Sequence, residues 1–600
     1  CRFESSPVAT VPPDEYGVKR NHSIVAMQWL GLEEKKWAPR GLIKHARNGG
    51  EHVVKFKNET GICCYVLDGF LEERNGQKHA FEFYGCNWHG CPSCFPGNRE
   101  EPVISGKSLS QVYRETKLKE DRLTSMGFKL HTMWGCEFDD LRKKNVDSLE
   151  KTIESLKIVD PLRIRECYYG GRTNAIVLHK KMSSSEKGMY MDFTSLYPSV
   201  LKYKRFPVGH PRKLFNPNWE YRLIPCHEEL CCLGRHCLGF HCELPFFGML
   251  KVTVLPPRDL LYPVLPLKVG TSKSLKLMFP LCYSCALKQN KSPCECSDSQ
   301  RQFTQSYCSP ELNFAVSCGY QILHIHEVLH WDEWEQYDAS KKEGGLFTNY
   351  VNAFLKMKQE ASGFPQEIHG EADQDAYIRE YEDHEGIRLT KSSVTDNPGL
   401  RSLAKLALNS FYGKFGQRSD LRKTQFVTDL SDLVRILLDR TKTVNDFNFL
   451  SENVMQIDFS PCEDFEKQAS NSNVPIAAFC TTYARLELLS LMNQLEGRVL
   501  YHDTDSVIFT TREGDFIPKT GKYLGDLTNE LNCKSLGCSN NCEGCHYIEE
   551  FVSCGPKNYA YVLNTGEVFC KVRGFSLNYA NSRIINFKAM KEALYLSLIH

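Results

Sequence analysis

Two short acidic segments and one lysine-bearing segment hold the residues best suited to chemistry. Asp192 opens Asp192-Phe193-Thr194-Ser195-Leu196-Tyr197-Pro198-Ser199, and Asp503 and Asp505 lie in Tyr501-His502-Asp503-Thr504-Asp505-Ser506. Between them stands Lys405-Leu406-Ala407-Leu408-Asn409-Ser410-Phe411-Tyr412-Gly413. Phosphoryl-transfer enzymes commonly use two divalent ions about 3.5–4 Å apart, one on the attacking oxygen and one on the leaving group. Mg²⁺ takes oxygen ligands and leaves positions open for substrate phosphates. Two carboxylates meeting from separate strands satisfy that need. Asp192 and Asp505 are therefore expected to hold a Mg²⁺ pair, with Asp503 tuning the site.

The elements around these residues must bring them together. Asp192 ends the apolar alternating run Met189-Tyr190-Met191 and begins a turn, while Val507-Ile508-Phe509 predicts a strand. Tyr501 to Phe509 thus predicts a hairpin with an acidic tip. The middle segment predicts a helix that starts near Pro398-Gly399, with Leu403, Leu406, Ala407 and Phe411 near one face. Lys405 and Asn409 are four residues apart and share a face. They align a cation and an amide for a triphosphate and a nascent base pair. Lys358, in the helical run from Tyr350, is a second triphosphate cation. A lone Asp-x-Asp is usually a turn, and a lone Lys-x-x-x-Asn is usually an exposed helix face. The ordered set of three points to nucleotidyl transfer.

In this order and context the segments resemble the A, B and C motifs of family B DNA polymerases. The likeness extends to Tyr168-Tyr169-Gly170-Gly171-Arg172, similar to the Tyr-x-Gly-Gly segment of protein-primed members. It includes Pro475-Ile476-Ala477-Ala478-Phe479 and Thr482-Tyr483-Ala484-Arg485, which resemble the palm helix before motif C. Gly555-Pro556-Lys557-Asn558-Tyr559 looks like the primer-contacting Lys-x-Tyr segment, and Lys571-Val572-Arg573-Gly574 like the basic turn after it. The resemblance covers roughly residues 20–580, and it is nearest to polymerases of Maverick/Polinton-type mobile elements and related viruses. It implies metal binding by Asp192 and Asp505, a steric gate against ribose at Tyr197, and phosphate contact by Lys405. Asn409 and Tyr412 would line the nascent pair. Tyr168, Gly170, Gly171, Lys557, Tyr559 and Lys571 would contact DNA.

Residues 1–145 have a different character. Asp68, the run Phe81-Glu82-Phe83-Tyr84-Gly85-Cys86-Asn87-Trp88-His89-Gly90-Cys91-Pro92-Ser93-Cys94, and Met133-Trp134-Gly135-Cys136 are similar to a restriction-endonuclease-like fold of the very-short-patch-repair type. Alternating strands are expected at Val53–Phe56, Cys64–Leu67, Ala80–Phe83 and Lys129–Met133. The resemblance implies zinc at Cys86, Cys91, Cys94 and Cys136, a metal-ligating Asp68 and a catalytic His89. The usual nuclease lysine, two residues after Glu82, is Tyr84 here. An inert, DNA-holding module is the competing expectation.

Six hundred residues exceed what one core supports, so several domains are expected. The boundaries expected are 1–145 for the nuclease-like domain, 146–165 for a helical connector, and 166–600 for polymerase palm and fingers. In the connector Val146, Leu149, Ile153 and Leu156 share one face. The class is α+β, with an antiparallel palm sheet, helical fingers and an α/β domain ahead of them. Lys+Arg is 74 against 73 for Asp+Glu, so overall charge does not announce a nucleic-acid partner. Local distribution matters more than the sum.

The 27 cysteines, without a leader, point to reduced thiols and zinc rather than disulfides. Cys-rich insertions are expected at about 226–300 and 533–545. Cys282, Cys285, Cys294 and Cys296 suit a zinc knuckle, as do Cys533, Cys538, Cys542 and Cys545. Cys226, Cys231, Cys232, Cys237 and Cys242 form a less regular set. Gln366 to Glu385 is acidic and is expected to be a solvated loop or a fingers-proximal surface.

No apolar run spans a membrane, so an intracellular protein is expected, nuclear or cytoplasmic, and not a secreted one. No exonuclease motifs precede Tyr168, and the thumb after about residue 580 is largely missing, so a truncated chain is expected. The sum of these readings is a DNA-directed DNA polymerase of a mobile element or virus. It would use a DNA primer-template, dNTPs, a protein primer, two Mg²⁺ ions and structural zinc. The alternatives are a catalytically inert DNA-binding fragment and a DNA endonuclease acting through residues 1–145. Asp-Thr-Asp in place of an Asp-Asp pair disfavours a reverse transcriptase.

Overall fold

The computed structural model describes residues 8–12, 15–16, 23–48, 51–58, 61–97, 99–100, 102–104, 107–144, 146–156, 158–225, 239–271, 274–365, 367–418, 421–439, 441–461, 472–531 and 546–599. The chain divides into two compact units. One comprises residues 17–162 with 215–217, and the other holds the remainder.

The smaller unit is α/β. Its four-stranded sheet runs Lys44–His45, Gly69–Glu72, Lys78–Tyr84, Phe128–Trp134 in spatial order. The last two strands are parallel, and the helix Leu109–Ser125 forms the crossover between them. Strand Lys78–Tyr84 is buried from His79 to Tyr84, as a strand covered on both faces must be. All four expected strands are present, at His52–Asn58, Gly61–Leu67, Lys78–Tyr84 and Phe128–Trp134.

The stretch expected as a helical connector holds a helix. Helix Val146–Ser155 is part of this unit's core, where Leu149 and Ile153 pack with Trp29, Leu30, Phe81 and Phe138. Its apolar face needed burial, and Gly31 leaves room for Leu156, whose side chain would lie 2.8 Å from any Cβ there.

The larger unit is built on a nine-stranded sheet among the described residues. At its centre lies β1 (Lys187–Phe193), followed by helix α1 (Leu196–Tyr203). Later come α2 (Ser309–Ser317), α3 (Thr348–Glu360), α4 (Glu371–Glu385), α5 (Pro398–Phe415) and α6 (Val474–Leu495). The chain then returns to the sheet as β2 (Val499–Asp503), β3 (Ser506–Thr511) and β4 (Leu527–Asn529). Strands Ile548–Gly555, Asn558–Leu563 and Val568–Val572 complete one edge.

One expectation about helices is corrected, and the buried side of another helix is defined. The acidic 366–385 stretch is helix α4 from Glu371, because Tyr377, Tyr381 and Glu385 recur at i, i+4 and are buried. On α5 the buried residues are Ala404, Leu408 and Phe415, whereas Leu403 and Leu406 are 58% and 64% exposed. Tyr350 decides that face: it stacks on Phe411 at 3.8 Å and donates to the Ala407 carbonyl at 3.1 Å. The start is as expected, with Pro398 in the first turn and Asn397 accepting the Leu400 N–H.

Helix α6 is the core of this unit, and one ion pair locks it. Arg485 binds Glu311 of α2 bidentately, at 2.9 and 2.8 Å. Both side chains are almost wholly buried, at 2% and 1% exposure. The same guanidinium donates to the Tyr169 and Gly170 carbonyls. A buried charge without its partner costs about 3–5 kcal/mol. Glu311→Ala is therefore expected to lower the stability of the larger unit by about that amount, read as a fall in its urea midpoint. An unchanged midpoint would mean that the pair is not the lock.

Candidate active site

The register of the central sheet brings the acidic segments together. Strand β1 pairs with β3 from Lys187 opposite Thr511 to Asp192 opposite Ser506. On its other side Met191 to Phe193 pair with β4. Beyond the paired strands, the Phe193 N–H reaches the Asp505 carbonyl at 2.8 Å, which sets Asp192 beside the tip of the β2–β3 hairpin. That tip is Thr504-Asp505, between the paired residues Asp503 and Ser506.

The tip is strained and specifically supported. Thr504 has φ 62°, a left-handed conformation that β-branched residues seldom adopt. Its N–H donates to the Arg172 carbonyl at 2.8 Å. Its side chain occupies the space above Gly171, where an added Cβ would lie 2.9 Å from it. Gly171 is thus where the Tyr-x-Gly-Gly segment supports the acidic turn. Gly170 and Tyr169 anchor that segment to Arg485, and the Tyr168 carbonyl accepts Lys268 at 3.1 Å.

The three aspartates differ in their surroundings. Asp503 Oδ1 accepts from Lys557 Nζ at 2.7 Å and from Thr173 Oγ1 at 2.8 Å. Asp192 is half-buried, and burial with the Asp505 charge pushes its carboxyl up to about 7. Asp505 is raised as well, by burial and then by Asp503. Nearby Lys405 and Lys571 oppose the rise at Asp192. Two oxygen-ligand groups held with unrelieved negative charge match the demand of a hard divalent cation. Asp192 and Asp505 are the pair that could hold it, and Asp503 is taken by Lys557. Glu530, just after β4, adds to the negative field at Asp192. Sequence reasoning missed it, because it stands outside every motif.

A basic wall faces this acidic floor. Lys358 on α3 lies 3.5 Å from Ser195 Oγ at the start of α1. Burial, then the Arg401 and Lys405 charges, lower its ammonium pKa. Arg401, Lys405 and Asn409 follow one another at i, i+4 on α5, and all three are exposed. Uncompensated cations beside the open N–H groups of a helix start suit a polyphosphate. Arg401 was missed, although its place one turn before Lys405 was a usable signal. Tyr197 and Tyr412 stack at 4.0 Å with rings 8° from parallel, between the α1 and α5 sides of the site.

Lys202 of α1, fully buried, bonds to the Glu385 carboxylate at 3.0 Å and its carbonyl at 2.8 Å. Glu385 also accepts from Tyr203 and from the Leu524 N–H. This network joins α1 to α4.

The primer-segment residues separate. Lys557 reaches the acidic site, while its N–H donates to the Tyr501 hydroxyl at 2.8 Å. Tyr559 is only 5% exposed, and its hydroxyl lies 3.2 Å from that of Tyr190 inside the sheet's core. Packing beneath the hairpin is therefore its placement. Lys571 is exposed and lies over the Tyr559 ring.

The cysteine sets resolve in part. Cys86, Cys91, Cys94 and Cys136 converge with all Sγ atoms within 4.8 Å, and so do Cys282, Cys285, Cys294 and Cys296. Tetrahedral zinc with Zn–S near 2.3 Å implies S···S contacts of about 3.8 Å. Cys91–Cys136 and Cys285–Cys296 both stand at 3.8 Å, so both sets fit that ion. Cys242 is buried in a strand and accompanies neither. Cys226, Cys231, Cys232, Cys237, Cys533, Cys538, Cys542 and Cys545 lie outside the described residues.

In the smaller unit Asp68 accepts the Phe83 N–H at 2.8 Å, and burial raises its pKa. Glu82, 3% exposed, is pushed up to about 8 by burial and binds Lys119 at 2.7 Å. His89 lies 3.0 Å from Thr116 Oγ1, and burial lowers it to about 4. Lys119 comes from the crossover helix, which no strand-based spacing could reveal.

Comparison with known proteins adds a family. The model of organellar and viral type B DNA polymerases matches residues 138–369 and 380–496. A probable DNA polymerase of Neurospora intermedia is 23% identical over 453 residues. That is 75% of this chain, which spans only 36% of the relative's length. Among solved structures, Phi29 DNA polymerase with primer-template DNA and incoming nucleotide matches 71% of this chain and 57% of that one. Its identity is 16% and its TM-score 0.40. An orthorhombic crystal form of the same enzyme gives the same values. Among the described residues, no helix is long and apolar enough to cross a membrane.

The raised carboxyl at Asp192 has a measurable consequence. Folded, it keeps its proton up to about pH 7, whereas an ordinary aspartate releases it near 3.8. Metal-free stability therefore falls as pH rises through that window. In chelator, Asp192→Asn is expected to raise the urea midpoint at pH 8 and to leave it nearly unchanged at pH 4. An equal gain at both pH values would refute the electrostatic account.

Proposed function

This chain belongs to the organellar and viral type B DNA polymerases, and we propose that it adds deoxynucleotides to a DNA primer by template-directed nucleotidyl transfer. The observation that carries the reading is the convergence of Asp192 and Asp505 opposite Lys358, Arg401 and Lys405. The primer 3′-hydroxyl would attack the α-phosphate above the two aspartates. Those residues would hold divalent metal, which when bound supplies charge stabilisation at the attacking and leaving oxygens. Lys358, Arg401 and Lys405 would grip the triphosphate and neutralise the departing pyrophosphate. Tyr197, against Tyr412, would exclude the ribose 2′-hydroxyl, and Asn409 would line the nascent pair. Lys557, bound to Asp503, and Lys571 would stand where the primer end enters. Tyr168, Gly170 and Gly171 would lie along the template path. A protein primer is the partner that the Tyr-x-Gly-Gly segment suggests.

Asp192→Ala and Asp505→Ala are expected to abolish primer extension with Mg²⁺ and four dNTPs while retaining primer-template affinity. Lys405→Ala is expected to weaken dNTP binding by about 1.5–3 kcal/mol, the worth of a charge-assisted hydrogen bond. Extension at the wild-type rate by either aspartate variant would sink the assignment.

A second reading concerns the smaller unit, and Lys119 favours it. The lysine absent from position 84 is replaced in space by one from a helix, bonded to Glu82 beside Asp68. We infer a restriction-endonuclease-like site for cutting DNA phosphodiesters, with His89 next to Tyr84 and zinc at Cys86, Cys91, Cys94 and Cys136. Nicking of supercoiled DNA by the Asp505→Ala chain should then disappear on adding Lys119→Ala. Nicking that survives that change, or no nicking at all, would leave this unit as a DNA-holding module.

A further inference from the structure

The cluster Cys282, Cys285, Cys294, Cys296 lies far along the chain from either catalytic aspartate, yet a short series of contacts joins it to the acidic turn. We propose that this centre binds zinc and anchors a positioning relay that runs through Phe279 and Arg172 to Thr504. The inference rests on the polymerase reading only for its catalytic consequence.

The relay begins at the metal site. The Cys282 Sγ accepts the Cys285 N–H and caps the helix Tyr283–Lys288. Asn290 Nδ2 lies 3.5 Å from Cys285 Sγ, an outer hydrogen bond of the kind that orients a thiolate ligand. Arg301, buried, fastens the base of the insertion by donating to the Pro256 and Pro257 carbonyls at 2.7 and 2.8 Å. Only Phe279-Pro280-Leu281 separate Cys282 from the β-hairpin Leu267–Thr271/Ser274–Met278. A metal at the cysteines therefore fixes Phe279 from one side, and the hairpin fixes it from the other.

Phe279 supports a buried cation. The Arg172 guanidinium lies 3.9 Å from the Phe279 ring centre, a close cation–π contact. Its Nη2 donates to the Pro263 and Val264 carbonyls of the same insertion. Its Nε has no hydrogen-bond partner, so the ring and those carbonyls are what hold the group. The Arg172 main-chain carbonyl, in turn, accepts the Thr504 N–H at 2.8 Å and lies 3.3 Å from His502 Nδ1. Thr504 is the strained residue between Asp503 and Asp505. A left-handed threonine needs its surroundings to over-determine it, and this carbonyl is the backbone acceptor that does so. Release of Phe279 lets Arg172 shift, and the turn that presents Asp505 shifts with it. Misplacement by about 1 Å can cost about a hundredfold in rate.

The full chain is compared with the double variant Cys285→Ser/Cys296→Ser, with Phe279→Ala and with Phe279→Tyr. Three quantities are read: zinc content, amide hydrogen exchange over residues 501–506, and single-turnover extension at saturating dNTP. The double variant is expected to lose the zinc held here, to exchange faster at the turn, and to extend about tenfold or more slowly. Primer-template affinity is expected to stay unchanged. Phe279→Ala should keep the zinc yet reproduce the faster exchange and slower extension, and Phe279→Tyr, which retains the ring, should restore both. Unchanged zinc in the double variant, or wild-type exchange in Phe279→Ala, overturns the proposal. Should the double variant fail to fold, the two Phe279 variants decide. Should the wild-type chain not extend a primer, the polymerase reading fails by itself, and zinc content with hydrogen exchange still judges the relay.

Discussion

The repulsion between Asp192 and Asp505 is the constraint on which the larger unit depends. Carboxylates held in a partly buried place oppose folding: burial and then the Asp505 charge raise the Asp192 pKa, while burial and then Asp503 raise that of Asp505. The fold holds them by backbone register rather than by side-chain contacts. Strand β1 is pinned on both sides, by β3 and β4, and the Phe193 N–H ties its end to the Asp505 carbonyl. A one-residue slip of this pairing would turn Asp192 to the opposite face of the sheet. Central, doubly paired strands resist such slips, and Asp192 sits near the end of one.

The remaining polar burial serves the same end. Arg485–Glu311 and Lys202–Glu385 are desolvated ion pairs, and neither is a cheap source of stability. Each also binds main-chain groups that apolar replacements could not. Arg485 captures the Tyr169 and Gly170 carbonyls, and Glu385 captures the Leu524 N–H. These pairs fix loop segments against helices. The loops so fixed are the ones that carry Gly171 to Thr504 and that pass Asp526 to the Thr194 N–H. Geometry at the acidic turn is thus determined by charges placed well behind it.

Much of this was legible in the sequence. The acidic hairpin followed from alternation around Asp505, and the lysine helix from Pro398 and the i, i+4 pair. The strands of the smaller unit followed from their apolar runs. What escaped was whatever depends on tertiary partners. The buried face of α5 was not legible, because Tyr350 of α3 and Phe347 just before it select Phe411 and Phe415 over Leu403 and Leu406. Helix α4 was hidden because its many charged residues outweigh its few buried positions in any local average. Lys119 and Glu530 carry no local signature, since their significance comes only from the strand or helix packed beside them.

A net charge of +1 also becomes intelligible at this point. A site for an anionic substrate held by metal needs both signs, separated in space. Acidic residues gather on the sheet at Asp192, Asp505 and Glu530, and cations stand on α3 and α5 at Lys358, Arg401 and Lys405. Burial and then the Arg401 and Lys405 charges lower Lys358, and burial with neighbouring acidic charge raises Asp192 and Asp505. Neither cluster is at its electrostatic minimum alone. A polyphosphate relieves the first, and a divalent cation relieves the second. On the proposed function, a divalent cation and a polyphosphate would each relieve one of these fields, and their binding would be coupled. A near-zero sum over the chain is thus compatible with two opposed local fields, one acidic on the sheet and one basic on α3 and α5.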